Sequence, residues 1–311
     1  MGTIALTGGT GFVGNHVVNV LTRHNSSLRL LARNPARSAS LPRNVEVVHG
    51  SLEDDEALEE LVATSDTVVH CAGSVRGATP EQFNQVNVEG TARLVRIARA
   101  KGCRRFLLLS SLAAREPQLS PYASSKHGGE EALKNGAGNM IWAALRPPAV
   151  YGPGDTEMLP LFHLMARGIA PVFGPVDARF SLIFAPDLAE AIAAWAECGD
   201  PPSGIFEIDD GKPGGYGWEE ITNTIRAITG KPVRRIRVPA AVLRVPAAIN
   251  WLLGRYFGRA PMLTPGKIRE LRHPDWVCRR APEFDALGWQ PEHSLAQGLV
   301  ATPGWRCDGH T

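Results

Sequence analysis

Close to its start the chain passes from a short apolar strand, Thr3–Leu6, into Thr7-Gly8-Gly9-Thr10-Gly11-Phe12-Val13-Gly14 and then into an apolar, helix-length stretch. The glycines at 8, 11 and 14 restrict the fold more than any other feature. A strand that turns at once into a helix needs residues free to adopt unusual backbone angles. The helix start then offers unpaired N–H groups, and small residues let an anion and the sheet come close. Strand, turn and helix in this order predict a dinucleotide site built from Gly8, Thr10, Gly11, Phe12, Val13 and Gly14. The spacing is GxxGxxG, not GxGxxG.

Further strands are expected at Leu28–Ala32, Val45–His49, Thr67–Cys71, Arg105–Leu109 and Ile141–Leu145, with helices at Gly11–His24, Asp54–Ala63 and Val88–Lys101 between them. Several strands are apolar throughout, as when helices cover both sheet faces. The alternation predicts an α/β fold with a doubly wound parallel sheet. After Val150 the pattern breaks at a Gly/Pro-rich stretch, and Met158–Arg167 reads as a helix. Phe180–Phe184, the helix Pro186–Glu197 and the strand Ile205–Ile208 then predict a return to the sheet. From Gly211 onward the chain is arginine-rich and punctuated by proline. The expected division is a dinucleotide-binding domain of residues 1–152 and 179–210. A smaller, mainly C-terminal α/β substrate domain takes 153–178 and 211–311, with the site in the crevice between them.

Arg33 ends the second strand, with Arg37 close behind. An acidic residue there would grip the ribose hydroxyls of NAD, whereas a guanidinium suits the 2′-phosphate of NADP. NADP(H) is therefore favoured over NAD(H). Near mid-chain Ser110-Ser111 ends a strand, and Tyr122 and Lys126 follow four residues apart. On one helix face, that ammonium would favour phenolate and lower the tyrosine pKa toward the working range. Such a tyrosine can give a proton to a forming alkoxide or take one from an alcohol.

A hydrophobic share of 44% and a charged share of 21% exclude a disordered chain. The net charge of +2 gives no overall pull toward nucleic acid, although residues 221–311 hold 14 Lys/Arg against 6 Asp/Glu. That excess lacks a nucleic-acid reading motif and is read as a solvated face, so neither nucleic acid nor a membrane surface is an expected partner. Five scattered cysteines without a CxxC pair favour a reducing compartment. The start reads as a strand rather than a signal peptide, and the apolar run Ala240–Leu253 is interrupted by Arg244, Pro246 and Asn250. A cytoplasmic location is expected. His163 and His273 lack metal-like partners at helical spacing, and no metal is expected.

These features, in their order and separation, resemble the extended branch of the short-chain dehydrogenase/reductase superfamily. That branch includes nucleotide-sugar epimerases and 3β-hydroxysteroid-dehydrogenase-like or dihydroflavonol-reductase-like enzymes. TGGTGFVG resembles its glycine motif, Ser65–Gly73 its fourth strand, and Asn87 within VNVEGT its Asn-x-x-Gly-Thr helix. Arg146–Asp155 is similar to the sixth-strand motif, and Leu287–Pro291, Ser294-Leu295 and Gly298-Leu299 to the C-terminal signature. The resemblance implies a Rossmann domain and assigns Ser111 to the substrate oxygen and Tyr122 to acid/base work. Lys126 would lower the tyrosine pKa and bind nicotinamide ribose, with Asn87 completing the set and Ser110 a weaker substitute for Ser111. It places Ala72 and Gly73 along the cofactor and Pro148 and Val150 near the nicotinamide. A homodimer is common among similar proteins.

The chain departs from the pattern in places. Ser51, before Leu52, stands where the family usually has an adenine-contacting aspartate. Phe180 stands where nucleotide-sugar epimerases carry a diphosphate-gripping arginine. Arg179 is one residue off, which reverses its direction in a strand. Val238-Pro239, Val242-Leu243, Val245-Pro246, Ile249, Trp251–Leu253 and Tyr256-Phe257 form an apolar group that could line a pocket or simply fill the small domain's core. The first reading is an NADP-dependent oxidoreductase for a small, apolar carbonyl or alcohol. The alternatives are a nucleotide-sugar epimerase or dehydratase with tightly bound NAD, and a noncatalytic dinucleotide-binding sensor or assembly module.

Overall fold

A computed structural model describes residues 2–34, 41–42, 44–77, 79–239, 241–242, 264–279 and 281–306. Arg37, Leu243, Val245, Pro246, Ile249, Trp251–Leu253, Tyr256 and Phe257 lie outside the described residues.

Seven strands make one parallel sheet: β1 Thr3–Thr7, β2 Leu28–Ala32, β3 Val45–His49, β4 Ser65–His70, β5 Arg105–Leu109, β6 Ile141–Arg146 and β7 Gly204–Glu207. Their spatial order is β3-β2-β1-β4-β5-β6-β7, and every pairing is parallel. The order reverses between β1 and β4, which opens a crevice at the carboxyl ends of these strands. Helices Phe12–Arg23 and Ala185–Glu197 bury Val17, Leu21, Leu188, Ile192 and Trp195 on one face. Helices Asp55–Val62, Gly90–Ala100 and Pro121–Gly136 bury Leu58, Leu61, Leu94, Val95 and Leu133 on the other. Covered on both faces, β2 and β5 are buried at every residue.

The stretch Phe180–Phe184 departs from expectation, because it does not join the main sheet. It divides at Ser181. Arg179–Phe180 pairs with Tyr216–Gly217 and Asp275–Trp276, whereas Leu182–Phe184 pairs with Ala149–Tyr151. The physical reason lies in its two apolar faces. Ile183 packs into the main core, while Leu182 and Phe184 enter a second core with Tyr151, Phe162, Trp218 and Leu299. An apolar run of both parities suits a strand wedged between two cores as well as one inside a sheet.

That second core also holds the helices Leu159–Ala166, Trp218–Thr229 and Leu295–Ala301. Among the described residues no helix is long and apolar enough to cross a membrane.

Candidate active site

The glycine turn is set by backbone proximity. Gly8 has φ +77°, and a Cβ there would lie 2.4 Å from the Ala72 nitrogen. A Cβ on Gly14 would come within 2.1 Å of the Gly8 carbonyl oxygen, which already accepts from the Gly11 N–H at 2.9 Å. No side chain caps the helix that starts at Phe12, and its first turn carries no acid. Its leading N–H groups are thus free for an anion, and the close turn leaves backbone rather than side chain facing it. These residues fit a dinucleotide pyrophosphate.

Thr10, Phe12 and Val13 frame the turn. His16, edge-on to Phe12, bonds through Nε2 to the Pro153 carbonyl at 2.8 Å and ties the turn to the loop beyond β6. Ala72 and Gly73 follow β4 directly opposite. Arg33 is exposed just past the end of β2. The Ser51 hydroxyl accepts from the Glu53 N–H at 3.2 Å, and Leu52 packs toward Gly90. The Leu112 N–H donates to the Pro147 carbonyl at 2.8 Å, bringing the Pro147-Pro148 turn beside Ser111, while Val150 packs against the main core.

Beneath the crevice runs a buried chain of hydrogen bonds that sequence reasoning missed. Thr7 Oγ1 lies 2.6 Å from His70 Nδ1, and His70 Nε2 lies 3.1 Å from Thr91 Oγ1. The Thr91 hydroxyl donates to the Asn87 carbonyl at 2.8 Å, and Thr7 Oγ1 accepts from the Ala72 N–H at 3.3 Å. All four contacts are satisfied together when neutral His70 carries its proton on Nε2. Burial, assisted by the Lys126 charge, pushes the His70 pKa down to about 3. The signal in the sequence is one polar residue inside an otherwise apolar strand end.

Asn87 sits in a widened helical turn, Gln85–Glu89, between the helices Pro80–Asn84 and Gly90–Ala100. The expected helix Val88–Lys101 is therefore entered through an earlier, irregular start. The Asn87 amide accepts from the Ser74 N–H at 2.8 Å and donates to the Ser74 carbonyl at 3.0 Å and Ser125 Oγ at 2.9 Å. It thereby fixes the loop that leaves β4.

Ser120 caps the helix Pro121–Gly136, accepting from the Ala123 N–H at 2.9 Å, and proline occupies its first turn. Tyr122 is thus held at a helix start. The two neighbouring serines diverge. Ser110 donates to buried Glu130, itself paired with Arg146 at 2.9 and 2.6 Å, whereas Ser111 is hydrogen-bonded to Tyr122. Lys126 Nζ donates to the Leu109 carbonyl at 2.7 Å, and burial lowers its pKa to about 8.

The expected lowering of the Tyr122 pKa by Lys126 does not describe this state of the site. Burial raises the phenol above its ordinary value; the Ser111 hydrogen bond and the Lys267 ammonium pull it back, and Glu270 pushes it up. The charge acting on the ring from outside its own helix comes from a segment that sequence reasoning passed over.

That segment, Thr264–Glu270, forms one wall of a cavity of about 330 Å³ that opens on Tyr122. Val75, Pro80, Phe83, Pro121 and Pro265 supply apolar surface, and Phe83 meets the Tyr122 ring edge-on at 6.0 Å. Arg179 lies elsewhere, donating to the Gly214 carbonyl at 2.6 Å, the Gly215 carbonyl at 2.9 Å and Glu220 at 3.2 Å.

Comparison with known proteins agrees with this geometry. Residues 4–208 match the model of the NAD dependent epimerase/dehydratase family. The chain is 38% identical to a ceramide reductase of Caulobacter vibrioides, covering 98% of this chain and 94% of that protein. It is 25% identical to a 3-beta-hydroxysteroid dehydrogenase of Mycolicibacterium neoaurum, over 96% of this chain and 90% of that one. Its fold matches the UDP-glucose 4-epimerase of Thermus thermophilus in complex with NAD, with a TM-score of 0.72 and 20% identity over 99% and 100% of the two chains. Glycine turn, sheet order and family match lead to one conclusion: the chain belongs to the NAD dependent epimerase/dehydratase family and is an enzyme of the extended short-chain dehydrogenase/reductase type.

Proposed function

We propose that this enzyme is an NADP-dependent reductase or dehydrogenase acting on an apolar, lipid-like carbonyl or alcohol. The observation that carries this reading is the cavity opening on Tyr122, where Val75, Pro80, Phe83, Pro121 and Pro265 offer apolar surface and the charged groups Lys267, Arg269 and Glu270 are confined to one wall. Two others support it. Arg179 is held by Gly214, Gly215 and Glu220, so it is not free to grip a sugar diphosphate. A ceramide reductase is a relative along nearly the whole chain. The exposed guanidinium of Arg33 would take the 2′-phosphate that distinguishes NADP.

In this reading the bound nicotinamide supplies or accepts the hydride. Tyr122 gives the proton to the substrate oxygen in reduction and takes it in oxidation, and Ser111 holds that oxygen beside the phenol. Lys126 lies one helical turn on, where it can leave the Leu109 carbonyl for the nicotinamide ribose. Asn87 keeps the loop after β4 in place. The small domain contributes Thr264, Pro265, Gly266, Lys267, Arg269 and Glu270 to the substrate wall, while Val75, Gly77, Pro80, Phe83 and Ser120–Tyr122 come from the nucleotide-binding side.

The test begins with mass spectrometry of nucleotide released from the purified protein and titrations with NADP(H) and NAD(H). Turnover of long-chain 3-oxo amides is then compared with that of UDP-glucose, followed by nicotinamide absorbance and product analysis. An exchangeable site preferring NADP(H), with turnover of the ketones, is the expected result. Retained, slowly exchanging NAD with conversion of the sugar nucleotide would overturn the reading in favour of an epimerase.

A further inference from the structure

The helix Pro265–Leu271 comes from the far end of the chain and docks on the first turn of the Tyr122 helix. The docking is close: a Cβ on Gly266 would lie 2.8 Å from Ser120 Cβ, and Arg269 Nε donates to the Leu119 carbonyl at 2.7 Å. Glu270 is 5% exposed and accepts hydrogen bonds from Ser120 and, at 2.9 Å, from Lys267 Nζ. The Glu270 carbonyl accepts from Trp276 Nε1 at 2.8 Å, which anchors the helix from behind. Lys267 Nζ is thereby held 6.0 Å from the centre of the Tyr122 ring.

We propose that Lys267, held by Glu270, is a positioning residue for the acid/base step, its ammonium setting the proton affinity of Tyr122 from the substrate wall. This rests on the reading of Tyr122 as the acid/base group. An ammonium beside a phenol favours the phenolate, and a partly buried setting strengthens the effect. Lys126, on the same helix as Tyr122, is engaged with the Leu109 carbonyl and sits among His70, Cys71 and Glu130. From the docked helix Lys267 and Glu270 act on Tyr122, and Arg269, which lines the same cavity, is turned to the Leu119 carbonyl. Phe83 adds only a ring and Ser111 a hydroxyl. Glu157 also acts on Lys267 and favours its charged form. The pair Lys267–Glu270 thus places two opposite charges at unequal effect on one phenol, which gives the proposal a signed signature.

The measurement is the tyrosinate absorbance of the full-length protein after rapid pH jumps, read before unfolding. Subtracting the Tyr122→Phe protein isolates Tyr122. Burial pushes Tyr151 and Tyr216 far up, so neither obscures it. Lys267→Met is expected to raise the Tyr122 midpoint by about one pH unit, a tenfold gain in proton affinity. Glu270→Gln is expected to lower it, and Lys267→Arg to leave it close to wild type. A mere clamp between segments would leave the midpoint unmoved or shift it the same way in both neutralised variants, and either result overturns the proposal. If Lys267→Met fails to fold, Glu270→Gln decides: a fall supports the proposal, and no change or a rise overturns it. No turnover is needed, so the outcome is independent of whether any carbonyl substrate is accepted.

Discussion

The two walls of the crevice are built on different terms. On the nucleotide side the fit is between backbone atoms: Gly8 against Ala72 and Gly14 against the Gly8 carbonyl leave no room for a methyl group. On the side proposed for substrate, the helix Pro265–Leu271 meets the start of the Tyr122 helix through an ammonium, a carboxylate and a capping hydroxyl. Backbone contacts admit almost no substitution, whereas side-chain contacts can be changed one group at a time. The glycine turn is thus the rigid part of the crevice, and under the proposed function reactivity and substrate choice fall to the adjustable part.

The sharpest way to separate the walls is Tyr122→Phe. It is expected to lower turnover by roughly 10²–10⁴-fold while nucleotide titrations remain near wild type. Equal loss of both would merge the two walls into one unit.

Next is Lys126→Met. The buried Lys126 pKa falls from 10.5 to about 8, so between these values the unfolded chain holds a proton that the folded one has released. Stability contributed by this site therefore rises with pH across that window, and below pH 8 the full cost, about 3 kcal/mol, is present. The variant should melt at higher temperature than wild type at neutral pH, with the gap closing toward pH 10.5. A lower melting temperature would show that its bond to the Leu109 carbonyl outweighs the buried charge.

Gly14→Ala should destabilise by about 1–3 kcal/mol and weaken nucleotide binding, because the obstructing atom is a backbone oxygen. Gly11→Ala, with 3.2 Å to the Gly8 oxygen, should do less in urea unfolding. Reversal of that order would undo the backbone argument.

The effect of His70 shows only on acidification, where nucleotide and substrate sides are both intact. Its pKa is lowered from 6.5 to about 3, so the unfolded chain takes up protons first as the solution is acidified. Stability is then full above pH 6.5 and falls by about 1 kcal/mol per pH unit just below it. His70→Asn should flatten this slope in urea titrations at several pH values.

The same contrast explains what could be read from the sequence. Gly8, Gly11 and Gly14 announce their site because a tight turn against a helix demands that residue type. Runs of apolar residues without alternation, Leu30–Ala32 in β2 and Phe106–Leu109 in β5, disclose the covered sheet, while the buried Arg29 and Arg105 beside them do not. Ser111, Tyr122, Lys126 and Asn87 are singled out by a family resemblance, and in the structure Ser111 faces Tyr122 while Asn87 and Lys126 both approach Gly73. Lys267 was passed over because nothing local marks a lysine as facing a ring more than a hundred residues away. Phe180–Phe184 misled because its apolar residues fall on both strand faces, and periodicity cannot tell a sheet interior from a seam. Even the direction of the Tyr122 shift depended on burial, which only the folded chain reveals.

That seam has a consequence for how the molecule comes apart. Ile183 belongs to one core and its neighbours Leu182 and Phe184 to the other, so three consecutive residues form a party wall. Neither lobe can melt without stripping the other of part of its interior. Heating should therefore give a single cooperative transition rather than two, and a polar residue at position 183 should loosen both lobes together.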